Sequence, residues 1–285
     1  MVLLLSTTGC STVTETETTS SIPAYNTSPQ GVISDEQGNT EESKMELMLI
    51  ETYEGFQSPT GIAVDSEGNI YVSNWSGSSV TKIDTNGNYS TFADGMGSPA
   101  GLAFDNDANL YVADYSKDVI YRITKGGVKS IIAEGLHTPT GISFNQSGEL
   151  LVANRSSNEI VKIDTSGNVE LIADGMSTPV GVSEDMDGNL YVTNYGGGII
   201  KVFADGTSEI FSTDFGRPGV GIDISQQNEI FAADNGDGCV RLVLIDGSTE
   251  IVVDSIGGCV AILVHKDTLY VGGWNDGAVY KYSIK

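Results

Sequence analysis

The chain contains few basic residues and few histidines, and each shortage excludes a class of function. Its 285 residues include 14 Lys and Arg against 38 Asp and Glu, which gives a formal net charge of −24. Such an excess argues against nucleic acid and against electrostatic docking on anionic lipid, because both partners need a basic surface. The two histidines, His137 and His265, are too few for a histidine-ligated zinc centre. We therefore expect no nucleic-acid partner and no such zinc site.

Long hydrophobic runs and helical patterns are also missing. No segment approaches the ~20 consecutive apolar residues that span a bilayer, and none carries an apolar stripe of helical period. The chain is therefore predicted to be all-β, without a membrane-spanning segment.

What the sequence has instead is a repeat of 40 residues. Glycine recurs at this interval, with alanine in the sixth place: Gly61, Gly101, Gly141, Gly181, Gly221 and Ala261. Acidic residues recur likewise: Glu54, Asp94, Glu134, Asp174, Asp214 and Asp254. Repeats of about 40–45 residues are typical of propeller blades, and residues 46–285 hold six of them.

One repeat predicts four antiparallel strands. In residues 58–93, short apolar or alternating runs are separated by polar turns rich in glycine and asparagine. The last repeat stops before its fourth strand, whereas residues 46–51, ahead of the first repeat, have strand character. We therefore predict that residues 46–285 form a six-bladed β-propeller of four-stranded antiparallel blades, closed by an N-terminal strand that completes the last blade.

The repeat resembles the NHL repeat. The resemblance rests on the form Pro-x-Gly-Ile-Ala-Val-Asp-x-x-Gly-Asn-Ile-Tyr-Val-x-Asn at 59–74, echoed from 99, 139 and 179. It extends to the six-bladed propellers of the senescence marker protein/gluconolactonase-like superfamily. The resemblance implies the fold, but that scaffold hosts lactonases, lyases and binding modules, so function has to be argued from the site.

The N-terminus is similar to the end of a bacterial lipoprotein signal peptide. Residues 1–10 finish at Cys10, which in that family becomes the lipidated residue. Residues 11–45 are rich in Thr, Ser, Glu and Asn and offer little apolar surface, so they predict a disordered tether. The resemblance implies an extracytoplasmic protein, lipid-anchored to the cell envelope or secreted. The alternative is a disordered cytoplasmic tail.

Two further cysteines, Cys239 and Cys259, are expected toward the same face of the ring. An extracytoplasmic location would allow a disulfide between them. The alternative is a pair of small buried thiols.

The candidate binding face is the one where innermost strands begin and the loops after the second strands emerge. An Asn or Asp ends the second strand in five repeats, with Gly273 in the sixth: Asn74, Asp114, Asn154, Asn194 and Asp234. We expect this series mainly to close turns by bonding backbone amides. The next position varies, and its main binding candidates are Trp75, Tyr115, Arg155, Tyr195 and Trp274. Aromatic residues around a concavity suit a ligand or peptide, although they could also merely cover loops.

Glu184 replaces an apolar residue of the innermost strand. We expect it to be partly buried, with a raised pKa or a partner, and it is the candidate acid, base or metal ligand. Arg217, in the loop before Pro218, is expected to be structural or solvated. The gluconolactonase resemblance implies a divalent cation held partly by Asn and Asp just before the innermost-strand glycine. Those positions here supply no anionic ligand: Thr60, Ala100, Thr140, Val180, Val220 and Val260.

We interpret the chain as an extracytoplasmic propeller that binds a protein or a small molecule on its loop face, as a monomer and without a cofactor. The alternative is a gluconolactonase-like hydrolase of lactones or esters, with an atypical site at Glu184 and a divalent cation.

Overall fold

The computed structural model of the chain describes residues 33–34, 40–41, 45 and 47–285. The chain divides into two units, residues 1–43 and 44–285. In the first unit, strands Ile33–Ser34 and Thr40–Glu41 pair antiparallel. The predicted signal segment with Cys10 and most of the predicted tether lie outside the described residues.

The second unit is an all-β propeller of six four-stranded antiparallel sheets. We number these blades 1 to 6 in chain order and list their strands from the innermost outward. Blade 1 comprises Pro59–Val64, Ile70–Asn74, Ser79–Ile83 and Tyr89–Ala93; blade 2 comprises Pro99–Phe104, Leu110–Asp114, Val119–Ile123 and Lys129–Glu134; blade 3 comprises Pro139–Phe144, Leu150–Asn154, Glu159–Ile163 and Val169–Ala173. Blade 4 comprises Pro179–Glu184, Leu190–Asn194, Ile199–Val202 and Ser208–Ser212; blade 5 comprises Pro218–Ile224, Ile230–Asp234, Cys239–Val243 and Thr249–Val253; blade 6 comprises Cys259–His265, Thr268–Gly273, Ala278–Ile284 and Leu47–Glu54. A 3-10 turn, Arg155–Ser157, follows the second strand of blade 3.

The two ends of the propeller meet in blade 6, as predicted. Leu47–Glu54 pairs with Ala278–Ile284 at seven positions, from Glu54 opposite Ala278 to Leu47 opposite Ile284. The N-terminal strand thus becomes the outermost strand of the last blade. This pairing closes the ring and covers an edge that would otherwise be open.

The core lies between neighbouring blades. In blades 1 to 5 the second strand is buried along its whole length, because other blades cover both of its faces. These strands accordingly read as continuous apolar residues over at least their first three positions instead of alternating with polar ones. The outermost strands are largely exposed.

The repeated glycine of the innermost strand permits close packing around the propeller axis. A Cβ atom added to Gly61 would lie 2.2 Å from the carbonyl oxygen of Ala100 in the next blade. A Cβ atom on Gly181 would lie at the same distance from the carbonyl oxygen of Val220. Because backbone cannot yield as a flexible side chain does, the glycine series serves the fold.

Candidate ligand site on the loop face

The Asn and Asp residues that end the second strands anchor the loops of this face. Each accepts a hydrogen bond from a backbone N–H of the loop that leads into the innermost strand of its own blade. The bonds, donor first, are Gln57 N to Asn74 Oδ1 (3.0 Å), Gly97 N to Asp114 Oδ2 (2.7 Å), His137 N to Asn154 Oδ1 (2.6 Å), Ser177 N to Asn194 Oδ1 (2.9 Å) and Arg217 N to Asp234 Oδ1 (2.9 Å). All five acceptor residues are at most 4% exposed. These buried side chains therefore hold the loops of the face in place.

In blade 6 the loop N–H is bound by a residue from a different position of the repeat. Gly273 has no side chain, and Asp276 Oδ2 accepts the bond from the Gly257 N–H at 2.7 Å instead. A Cβ atom on Gly273 would lie 2.8 Å from that oxygen, so the glycine leaves room for the carboxylate. Asp276 was not predicted from the sequence, because it lies three residues beyond the repeated position.

The variable position after each anchor is held by its own backbone. The N–H of this residue donates to a carbonyl oxygen in the loop before the innermost strand of the same blade. Examples are Trp75 to Ser58 (3.2 Å), Tyr115 to Ser98 (3.1 Å), Arg155 to Thr138 (3.4 Å), Tyr195 to Thr178 (2.9 Å) and Trp274 to Gly258 (2.9 Å). Equivalent backbone positions therefore project unlike side chains from successive blades onto one face.

On one side these side chains form an aromatic arc of Trp274, Trp75 and Tyr115. The ring centroids of Trp274 and Trp75 are 5.5 Å apart, and those of Trp75 and Tyr115 are 4.7 Å apart. The rings are tilted by 58° and 51°, so their edges and faces both contact. Trp75 and Trp274 also pack against buried core residues. The arc therefore covers the core and presents a partly exposed aromatic surface.

The other side is a cationic arc of Arg155, Tyr195, Arg217 and Asn235. Arg155 Nη1 donates to the Tyr115 hydroxyl at 2.8 Å, which joins the two arcs. The Cζ atoms of Arg155 and Arg217 lie 5.2 and 5.1 Å from the centroid of the Tyr195 ring. Arg217 Nη2 donates to Asn235 Oδ1 at 2.9 Å. We call the two arcs together the loop-face ring. The five main binding candidates predicted from the sequence belong to it, whereas the Asn and Asp series lies beneath it as loop anchors.

Arg217 belongs to the ring although the sequence predicted only a structural or solvated residue. It comes from the loop before the innermost strand of blade 5, whereas the other members follow second strands. The repeat places it level with Gln57, on the same face, and that register was the signal available in the sequence. Its contact with Tyr195 depends on the reach of the arginine side chain.

The two ring arginines lack carboxylate partners among the residues that the structure describes. Arg241 is the contrast: its Nε donates to Asp234 Oδ2 at 2.8 Å, and it also pairs with Asp237. Burial alone would raise the pKa of Asp234, but hydrogen bonds from the Arg217 N–H and from Arg241 lower it. Arg155 has no such neutralisation, and its Nε is buried without a hydrogen-bond partner in the described part of the chain.

The repeated acidic residues surround this face at a larger radius. Each lies within two residues of the end of an outermost strand, and all are exposed: Glu54, Asp94, Glu134, Asp174, Asp214 and Asp254. The face therefore has an acidic rim around a central ring that contains two guanidinium groups.

Glu184 lies away from the loop-face ring. It is the last residue of the innermost strand Pro179–Glu184, which begins on the loop face. The five steps along this strand from Pro179 to Glu184 span about 16 Å. Its Oε2 accepts the Gln146 N–H at 2.7 Å, from a hairpin on the opposite face of the propeller. Glu184 is thus partly buried with a partner, as expected, and its catalytic role stays a prediction.

Asp223 is an acid with a raised pKa that was not predicted from the sequence. Its Oδ2 accepts the Val264 N–H of blade 6 at 2.8 Å, and its Oδ1 accepts the Ile224 N–H at 2.9 Å. Burial raises the pKa of Asp223 to about 6. The repeat did contain a signal, since the equivalent positions are small or apolar: Ala63, Ala103, Ser143, Ser183 and Leu263.

Cys239 and Cys259 are free and buried in the structure. Burial raises the pKa of the Cys239 thiol to about 11 and also raises that of Cys259. These are properties of unreactive thiols. The disulfide is not formed here and stays a prediction.

Two further properties concern the described residues alone. They contain no group of three or more His, Cys, Asp or Glu side chains arranged to hold a metal ion. Within the same residues, no helix has the length and hydropathy to cross a bilayer.

Fold and site define a six-bladed β-propeller with a built ring of side chains on its loop face. Residues 56–83 match the model of the NHL repeat family, and comparison with curated proteins gives no significant match. Among solved structures, a gluconolactonase from Xanthomonas campestris is similar at 16% identity and a TM-score of 0.75, over 85% of this chain and 91% of that one. Virginiamycin B lyase from Staphylococcus aureus is similar at 14% identity and a TM-score of 0.65, over 84% and 99%. A chain of a nidogen/laminin complex is similar at 21% identity and a TM-score of 0.66, over 74% and 87%. These similarities establish the shared fold.

Proposed function

We propose that this protein is a binding module that receives its ligand on the loop-face ring. The observation that carries the proposal is the unbroken series of contacts from Trp274 through Tyr115, Arg155 and Tyr195 to Asn235. These side chains come from all six blades, so the series is a property of the closed propeller. Aromatic surface combined with a few oriented polar groups is the usual composition of a ligand site.

The setting of the module is part of the same proposal. The lipoprotein-like N-terminus supports attachment to the cell envelope through Cys10, or secretion, and the acidic composition suits a soluble monomer. The proposed module needs no cofactor, because its contacts with the ligand come from aromatic and guanidinium groups.

The hydrolase alternative requires a cation site for which the described residues offer no donor set. The positions before the innermost-strand glycines are apolar or hydroxyl-bearing, and Glu184 lies at the other end of its strand. A divalent cation needs several oxygen ligands, and Glu184 alone does not supply them. Unfolding in chelator and then in Ca²⁺, Mg²⁺, Mn²⁺ or Zn²⁺ tests this alternative. A clear stabilisation by one metal would revive it.

The test of the proposal is a screen of small metabolites and peptides by thermal unfolding of the full chain. A ligand at 100 times its dissociation constant stabilises the native state by ~2.7 kcal/mol, which is readily measured. Hits should be lost in Tyr195→Ala and kept in Tyr89→Ala. The two tyrosines are a matched pair, 40% and 48% exposed, and Tyr89 lies on an outermost strand. Hits that survive Tyr195→Ala would place the site elsewhere and refute the proposal.

A further inference from the structure

The cationic arc indicates which ligands the ring would select. We infer that the loop-face ring binds a small molecule in which one carboxylate is attached to a sugar or aromatic ring. Arg155 and Arg217 bind the carboxylate, and the aromatic arc contacts the ring of the ligand. This inference rests on the proposed function and specifies its ligand.

First, the positive charges of the cationic arc have no carboxylate partner within the described residues. The chain has 14 basic residues against 38 acidic ones, yet Arg155 and Arg217 lie within ion-pair distance of no carboxylate among the described residues. Arg241, in contrast, is paired with two. Most cations of so acidic a protein could pair with its own carboxylates. Two guanidinium groups that are unpaired on one face therefore favour binding of a ligand with an anionic group.

The second step is the geometry of Arg155. Its Cζ lies 5.7 Å from the Tyr115 centroid and 5.2 Å from the Tyr195 centroid, so two phenol rings hold the guanidinium without neutralising it. Only Nη1 is engaged by a side-chain hydrogen bond, to the Tyr115 hydroxyl, and the buried Nε has no partner. Nη2 makes no hydrogen bond with the described residues, so it can donate to a carboxylate oxygen of the ligand.

The third step is the position of Arg217. Because the Cζ atoms of Arg217 and Arg155 lie 5.1 and 5.2 Å from the same ring centroid, they cannot be more than about 10 Å apart. One small ligand can therefore interact with both. Trp75 and Trp274 continue the same surface and offer partly exposed rings to an apolar or flat ligand face.

The fourth step limits the size and the charge of the ligand. Six exposed carboxylates surround the ring at the ends of the outermost strands, and the chain as a whole carries a charge of −24. An extended polyanion would have to cross this rim and would be repelled. A small ligand with a single negative charge experiences far less of that repulsion, and the two guanidinium groups offset it locally.

The experiment is calorimetric titration of the full chain with two acid probes and their neutral counterparts. D-glucuronate is paired with methyl glucoside, and 4-hydroxyphenylacetate with 4-hydroxyphenylethanol. We expect at least one acid to bind, and at least tenfold more tightly than its neutral counterpart. The pair that shows this difference identifies the ligand as a sugar acid or an aromatic acid.

The variants test the assignment to the arginines. Arg155→Gln and Arg217→Gln should each weaken binding of the acid at least tenfold. Arg122→Gln should change it less than twofold. Arg122 is the matched control, because its Nε is also buried without a partner but it lies on the third strand of blade 2, near the opposite face. Arg217 is exposed, so its variant keeps the test available even where Arg155→Gln fails to fold.

The outcomes separate this inference from the proposed function. Acid and neutral probes that bind equally, both lost in Tyr195→Ala, would overturn the inference and leave the binding module standing. Acid binding that is unaffected by both arginine variants would also overturn it, as would tighter binding of a polyglutamate peptide than of either acid. If neither these probes nor any compound of the wider screen binds, the proposed function falls, and the inference falls with it.

Discussion

Replacing Asp223 by asparagine should change the pH dependence of stability in a defined direction. The partly buried carboxyl group lies between blades 5 and 6, where it accepts backbone hydrogen bonds from Val264 and Ile224. Burial raises its pKa from the ordinary value of 3.8 to about 6. The folded state therefore holds the proton more tightly than the unfolded state does, and ionisation of Asp223 costs stability.

The magnitude follows from that difference in pKa. Each pH unit corresponds to ~1.4 kcal/mol, so a rise of roughly two units makes the ionised group cost about 3 kcal/mol. Below pH 3.8 both states are protonated and the cost is absent. Between pH 3.8 and about 6 only the unfolded state loses its proton, so the free energy of unfolding falls as the pH rises. Above that range the cost is constant.

Urea unfolding of the wild type and Asp223→Asn between pH 4 and pH 8 measures this cost. Because the unfolded state is already partly ionised at pH 4, the stability of the wild type relative to the variant should fall by about 2.4 kcal/mol from pH 4 to pH 7 and then stay level. Lost hydrogen bonding in the asparagine variant adds only an offset that does not depend on pH. Asp84→Asn is the control of opposite sign: hydrogen bonds from Asn88 lower the pKa of Asp84, so its contribution is lost as the pH falls. A difference for Asp223 that does not vary with pH would refute the reasoning.

Three further predictions concern the fold and the face. Gly61→Ala should destabilise the propeller by about 1–3 kcal/mol or more, because its Cβ would meet the Ala100 carbonyl oxygen at 2.2 Å. Asp276→Ala should cost about 1–3 kcal/mol, because the Gly257 N–H loses its acceptor. Deletion of residues 46–52 removes five of the seven closing pairs and should cost roughly 3–7 kcal/mol. Urea unfolding followed by circular dichroism measures all three.

Each of these predictions has its own control or contradicting outcome. Ala261 occupies the glycine position in blade 6, so Ala261→Gly should be far milder than Gly61→Ala, and equal effects would contradict the steric argument. Asp276→Asn keeps an acceptor oxygen and should restore most of the stability that Asp276→Ala loses. Unchanged cooperative unfolding after the deletion would show that the closing strand is dispensable.

The number of blades, their strands and the closure were all predictable from the sequence. The reason is that every repeat must pack against the next, so the spacing of Gly61 and its equivalents is fixed by backbone contact between blades. The closing strand was predictable because the last repeat ends before a fourth strand and residues 46–51 could supply it. These features follow from the repeat alone, without any knowledge of side-chain contacts.

The site was only partly predictable, because some of its contacts depend on side chains outside the repeated positions. Arg217 and Asp276 both occupy positions that the repeat does not mark, and each reaches the face from another point of its blade. Glu184 does break the pattern, but strand direction places it on the opposite face. In the repeat, Asp223 lies one residue before the position equivalent to Glu184. Its hydrogen bond from the Val264 N–H, which places it between blades 5 and 6, is visible only in the structure.

The loop-face ring divides into a part fixed by the fold and a part free to specify a ligand. Trp75 and Trp274 pack against the core, so the fold itself constrains them. Tyr195 and Arg217 are exposed, and the backbone of Tyr195 is held by its own N–H bond to Thr178, whatever its side chain. Changes at Tyr195 and Arg217 should therefore alter selectivity at little cost in stability. If this propeller discriminates among ligands, the discrimination resides on that side of the ring.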